Sequence, residues 1–203
     1  MSKVSCIVLA AGAGRRMGHD ENKIFIKLGQ KSIIQWTLSH INQVKAVSEV
    51  ILVVADGEAS YMEQHIASLG LSKLIKIVTG GKERQDSVYA GLQAVGDDID
   101  IVLVHDGARP LAKPELFERV IEGAETHGAV TIGVPSTDTI KRVDIDGQVL
   151  ETLNRNELMN IQTPQGFQKD IFKEAQESAK RDAYLGTDDV SLVEYIGKDV
   201  YIL

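Results

Sequence analysis

The chain has 203 residues, 43% hydrophobic and 25% charged, which suits one globular domain with a filled core, or one domain plus an excursion from it. A net charge of −7 and a pI near 5.3 argue against non-specific nucleic-acid binding, so any anion site has to be built locally against the overall field. One cysteine, Cys6, leaves no partner for an intrachain disulfide and no apolar run approaches the length of a membrane span, which fits a cytoplasmic protein.

Strand-like and helix-like segments alternate along the chain. Val4–Ala10 is a continuous apolar run, as expected of a strand buried on both faces, with Cys6 as a core residue. Ser32–Ile41 has helical spacing, and Ser32 is placed to cap it. Glu49–Ala55 reads as a second buried strand, Glu58–Leu69 as a helix ended by Gly70, and Leu74–Thr79 as a third strand. Gly80-Gly81 breaks that strand, and Arg84–Ala94 is helical. Ile99–Val104 is a fourth strand, Pro114–His127 a helix with proline in its first turn, and Ala129–Val134 a fifth strand. This rhythm predicts an α/β fold with a mostly parallel sheet and helices on both faces.

The rhythm breaks after Pro135. Thr139–Val143 and Gln148–Leu153 are short, polar and strand-like, and Asp146-Gly147 between them is a hairpin turn signal. A polar hairpin in such a chain is expected to project as an arm, a common way to bind a partner subunit. Ile161–Phe167 returns to the body. Lys169–Ala179 and Asp188–Ile196 are predicted helices, the second capped by Thr187, and Asp199–Leu203 reads as a last strand.

The chemistry is expected beyond the carboxyl ends of the strands. The first strand runs into Ala10-Ala11-Gly12-Ala13-Gly14-Arg15-Arg16-Met17-Gly18, with Lys23 close behind. Glycines let backbone N–H groups approach a ligand, and the cations add formal charge, both of which a triphosphate needs. Met17 stands where a dinucleotide fingerprint has its third glycine. Gly29-Gln30-Lys31-Ser32 lacks the leading run of a P-loop. An ordinary glycine-rich strand-to-helix turn is the alternative, weakened by Arg15, Arg16 and Lys23, for which a plain turn has no use, so we read the stretch as a phosphate cradle of another kind.

Three further stretches carry polar chemistry. Gly80 to Ser87 suits backbone readout of a base edge with Ser87 as a hydroxyl donor, although an ordinary loop before a helix explains it equally well taken alone. His105-Asp106-Gly107-Ala108-Arg109-Pro110 places Asp106 and Arg109 to meet a metal–phosphate group or sugar hydroxyls, or to close the loop as a local ion pair. His105 reads as a strand-end residue held by hydrogen bonds. Asp138 to Arg142, with Arg155 further on, is by itself a solvated charged face.

In order, the stretches LAAGAGRRMG with a following NK, GGKERQDSVYAGL, VHDGARP, DTIKRV, TLNR, QTPQGF and GTDDVSLVE resemble the 2-C-methyl-D-erythritol 4-phosphate cytidylyltransferases, from about Val4 to Glu194. The resemblance implies a Rossmann-like α/β domain spanning residues 1–203, with a β-arm at about 136–157 that makes a homodimer. It implies a reaction in which CTP and methylerythritol phosphate are joined and pyrophosphate is released, with Mg²⁺ held mainly by the CTP phosphates and no dedicated metal ligands on the protein. Arg16 and Lys23 match transition-state stabilisers, and Arg155 joins them as a residue reaching the reacting substrate. Ala10, Ala11, Gly12, Ala13 and Gly14 match the nucleotide loop, and Gly81, Lys82 and Ser87 the cytosine and ribose contacts. Asp106 and Arg109 match a contact loop between the substrates. Thr139 and Arg155 match positions that grip methylerythritol phosphate across the dimer, and Thr163 a further site residue.

Lys82 stands where the family often has an acidic residue, and Asn154 where Asp is common. The family also continues past the position of Leu203 with a segment carrying a substrate-positioning lysine, so the chain is expected to lack that segment. A cytidylyltransferase acting on ribitol 5-phosphate is the nearest rival reading. A non-catalytic nucleotide-binding protein is the rival of a different class, disfavoured by the presence of both Arg16 and Lys23.

Overall fold

The computed structural model of the chain describes residues 2–12 and 22–203. The first apolar run forms β1 (Val4–Leu9), and a single 3-10 turn at Lys23–Phe25 follows the undescribed stretch. Two-residue strands β2 (Lys27–Leu28) and β3 (Lys31–Ser32) pair around Gly29, whose φ of +68° is the left-handed conformation that glycine adopts without strain. Then come α1 (Ile33–Ile41), β4 (Val47–Val54), α2 (Ala59–Ile66), β5 (Leu74–Thr79), α3 (Arg84–Gln93), β6 (Ile101–Asp106), α4 (Pro114–His127) and β7 (Ala129–Pro135). The hairpin strands are β8 (Lys141–Val143) and β9 (Val149–Thr152), followed by β10 (Met159–Gln168), α5 (Lys169–Arg181), α6 (Asp189–Tyr195) and β11 (Tyr201–Ile202).

Seven strands form one sheet in the order β11-β7-β10-β6-β1-β4-β5. Parallel pairs join β1 to β4 and β6, β4 to β5, and β11 to β7. β10 is the exception, inserted antiparallel between β6 and β7. Side chains alternate between the faces, as the pleat requires. Cys6 and Val8 of β1 join the core under α1, α2 and α4, whereas Ile7 joins the core under α3, α5 and α6. Phe117 on α4 anchors the first face, and Phe167 and Phe172, stacked with centroids 4.2 Å apart, anchor the second. Burying each such ring stabilises the fold by about 1.5–3 kcal/mol.

Local chemistry sets the helix ends. Ser32 caps α1 in a reciprocal box with Gln35, as its sequence position predicts. For α6 the cap is Asp188 rather than Thr187. The Asp188 carboxylate accepts from Ser191 N at 3.1 Å, and the Ser191 hydroxyl answers toward the cap backbone. A carboxylate three residues before a hydroxyl completes a box that Thr187 is one residue too early to make. The fourth strand also starts and ends two residues later than expected, so Asp106 is a strand residue, paired with Leu9, rather than the first loop residue.

The hairpin β8–β9 forms its own two-stranded sheet, exposed along both strands. Asp144 Oδ1 accepts from Asp146 N and Gln148 N at 3.0 and 2.8 Å, and Gly147 takes φ +86°, closing the turn around Asp146-Gly147. Arg142 pairs with Glu151 across the hairpin at 3.1 Å, so this cation serves the arm itself.

Candidate active site at the strand ends

Because β1, β4, β5 and β6 are parallel, their carboxyl ends lie along one edge, and the loops leaving them are fastened to neighbouring strands. Ala10 N donates to Val53 O at 2.7 Å, Gly80 N to Val54 O at 2.8 Å, and Gly107 N to Leu9 O at 2.9 Å. A methyl group on Gly80 would lie 3.0 Å from the Ala11 Cβ, so the loop after β1 and the loop after β5 touch. One on Gly107 would lie 2.9 Å from Leu9 O. Glycine at these places permits the close approach that draws three loops into one cradle.

The polar end of Asn22 brings Lys23 to this edge. Its Nδ2 donates to Ala10 O at 2.9 Å and to Glu58 Oε2 at 3.3 Å, and its Oδ1 accepts from Ile24 N at 3.4 Å. The segment bearing Lys23 is therefore tied to the end of β1. Ala10, Ala11 and Gly12 lie at that end; Ala13, Gly14 and Arg16 lie outside the described residues.

After β5, the Ser87 hydroxyl is buried, accepts from Gly81 N at 3.1 Å and donates to Glu83 O at 3.2 Å. Glu83 N in turn donates to Asp86 Oδ2 at 3.0 Å. These bonds hold the loop containing Gly81 and Lys82 in a fixed curve at the start of α3. Lys82 is exposed beside it.

Asp106 is held more tightly still. Arg109 Nε donates to its Oδ2 at 3.1 Å, and Arg84 Nη2 lies 3.6 Å from its Oδ1. Its backbone N–H donates to Thr163 Oγ1 at 3.1 Å, and that hydroxyl also meets the buried His105 Nδ1 at 3.1 Å. Burial lowers the His105 pKa to about 4, so the imidazole is neutral at physiological pH and serves as a fixed hydrogen-bonding group. Arg109 Nη1 also donates to Gln162 Oε1, which fastens the Asp106 loop to β10. Thus Asp106, Arg109 and Thr163 form one cluster, and the antiparallel direction of β10 is what delivers Thr163 to it.

Thr139 and Arg155 lie elsewhere, exposed on the arm, where Arg155 Nη1 donates to Thr137 O at 3.5 Å. Among the described residues, neither is hydrogen-bonded to the Asp106 cluster or to the loop at Ser87.

Several polar residues at this edge escape a reading by sequence spacing. Arg84 Nη1 donates to Asp189 Oδ2 at 2.7 Å, and Gln165 Nε2 to Asp188 Oδ2 at 2.9 Å. Burial raises the Asp189 pKa, a shift opposed by the Arg84 charge beside it. The local signal in the sequence is the aspartate pair that opens α6, Asp188 at its cap and Asp189 in its first turn.

Comparison with known proteins agrees with this architecture. The family model for 2-C-methyl-D-erythritol 4-phosphate cytidylyltransferase matches residues 4–203. A protein of that name from Pelotomaculum thermopropionicum is 44% identical over 100% of this chain and 86% of its own length. One from Alkaliphilus metalliredigens is 45% identical over 100% of this chain and 84% of its own length. The crystal structure of a 4-diphosphocytidyl-2C-methyl-D-erythritol synthase from Anaerococcus prevotii aligns with a TM-score of 0.89 at 31% identity, covering 100% of this chain and 88% of that one. With strand-end loops of this geometry and a match over nearly every residue, the chain belongs to the 2-C-methyl-D-erythritol 4-phosphate cytidylyltransferase family.

Proposed function

We propose that the loops at the ends of β1, β5 and β6 bind CTP, and that the arm of a second copy completes the acceptor site. The activity follows from the family: CTP and 2-C-methyl-D-erythritol 4-phosphate give the CDP-linked methylerythritol and pyrophosphate, a step of isoprenoid precursor synthesis. The observation that carries the site reading is the convergence of Ala10, Gly80 and Gly107 on neighbouring strand ends.

In this reading the acceptor phosphate attacks the CTP α-phosphorus in line, and negative charge grows on the equatorial oxygens. Lys23, held at the end of β1 through Asn22, and Arg16 stabilise that charge. Backbone groups of Ala10 to Gly14 cradle the phosphates, while Gly81, Lys82 and Ser87 read the base and ribose. Asp106, Arg109 and Thr163 position the junction of the two substrates. No covalent nucleophile is required, since phosphoryl transfer is driven by positioning and electrostatics.

The donor set fits Mg²⁺ carried by the nucleotide. Asp106, the carboxylate at the centre of the cluster, already has an arginine at each oxygen. Mg²⁺ is commonly held by substrate phosphates with few protein ligands. When bound it neutralises triphosphate charge and orients the departing pyrophosphate.

Among the described residues, no helix is long and apolar enough to cross a membrane. We place the enzyme in the cytoplasm, whose reducing conditions suit a chain with a single, buried, free cysteine. For the arm, Val143, Ile145, Val149 and Leu150 are exposed, and Val134, Met159 and Ile161 extend the same apolar character to its base. Apolar surface of this kind marks an interface. A second copy of the chain places Thr139 and Arg155 at its neighbour's acceptor site.

The test is pyrophosphate release with CTP and Mg²⁺, offering methylerythritol phosphate or ribitol 5-phosphate. Turnover is expected with the first alone. Lys23→Ala should lower kcat about 100- to 1,000-fold with a much smaller change in CTP affinity. Unchanged kcat in that variant removes Lys23 from the mechanism, and turnover with ribitol 5-phosphate overturns the acceptor assignment.

A further inference from the structure

The two oxygens of Asp106 are held by two different arginines. Arg109 comes from the same loop, but Arg84 comes from the first residue of α3, the helix that carries Ser87. Arg84 is anchored in turn. Its Nη1 donates at 2.7 Å to Asp189, which is only 1% exposed in the first turn of α6. Its neighbour Gln85 grips the same connection, accepting from Gly186 N at 3.1 Å and donating to Tyr184 O at 3.0 Å. A buried carboxylate costs several kcal/mol unless a cation meets it, so the Asp189–Arg84 pair fixes where the guanidinium can sit. Once fixed, its planar fork has Nη2 left to face Asp106.

We infer that Arg84 is a positioning residue for the reaction: clamped by Asp189, it sets the plane of the Asp106 carboxylate and locks the base-reading start of α3 to the substrate-junction loop after β6. The inference rests on the placement of Asp106 in the site. Arg84 supplies no charge to the reacting phosphates in this role. It keeps Asp106 from rotating toward Arg109 alone, and it couples two loops that bind different parts of the substrates. Lysine cannot replace it fully, because one ammonium on a flexible stem does not present two fixed nitrogens to two carboxylates.

The test is a double-mutant cycle between Arg84→Met and Asp106→Asn, with folding checked by circular dichroism and thermal melting. Arg84→Met should lower kcat about tenfold while the KM for CTP moves less, and Arg84→Lys should recover part of the loss. In the Asp106→Asn background, Arg84→Met should cost nothing further. Losses that multiply across the two sites, or a wild-type kcat in Arg84→Met, overturn the inference. If Arg84→Met does not fold, the near-isosteric Asp189→Asn takes its place in the cycle. Its smaller loss should vanish in the Asp106→Asn background, and a multiplying loss again overturns the inference. Asp106→Asn turning over at the wild-type rate overturns the placement of Asp106 itself, which separates that failure from a failure of the clamp.

Discussion

His105 lies sealed beneath Phe117, with ring centroids 4.8 Å apart, and its Nδ1 meets Thr163 Oγ1. Its pKa falls from 6.5 to about 4 because burial disfavours the imidazolium. Below pH 6.5 the unfolded chain takes up a proton that the folded chain refuses. The stability is therefore whole above pH 6.5 and is lost as the pH falls toward 4, by about 3 kcal/mol in all. Urea midpoints measured between pH 7 and pH 4 should fall more steeply for the wild type than for His105→Gln. Parallel profiles would refute a buried neutral histidine. At this scale the sequence is legible where partners are close in the chain. Asp106 and Arg109, three residues apart, were readable either as a site or as a local ion pair, and they form the ion pair inside the cluster. Arg84 and Asp189 are 105 residues apart, and only the fold makes them neighbours.

The start of α3, where we propose that the nucleotide is read, is a loop packed tightly on its own helix. A Cβ on Gly81 would lie 2.3 Å from Asp86 Cβ and 3.3 Å from the Asp86 backbone carbon. Gly81→Ala must therefore push the loop away from the helix and weaken the bond from Gly81 N to Ser87 Oγ. The expected result is a stability loss of about 1–3 kcal/mol and a raised KM for CTP, with the KM for the acceptor unmoved. Steady-state kinetics with each substrate varied in turn will decide it, and an unaltered KM for CTP would remove this loop from nucleotide recognition. The elements themselves were legible because apolar runs and helical spacing alternate cleanly. The antiparallel insertion of β10 was not, since a strand buried on both faces reads the same in either direction. That insertion is what brings Thr163 under Asp106.

The whole molecule has a body with its strand-end cluster and an exposed arm that carries Thr139 and Arg155 apart from it. The hairpin was readable from its turn and polarity, but the apolar side chains that cover it, Ile145 and Leu150 among them, acquire meaning only once they are seen to face outward. In the dimer we propose, a symmetric pair of chains exchanges arms in both directions, so that each site takes its body residues from one copy and its arm residues from the other. The most direct measurement mixes Lys23→Ala and Arg155→Ala proteins, each nearly inactive alone, and follows pyrophosphate release after subunit exchange. A shared site predicts recovery to about a quarter of wild-type turnover at equal mixing, since half the dimers are mixed and each restores one of two sites. Turnover that stays at the level of the separate variants, with exchange verified, would contradict a site built from two chains.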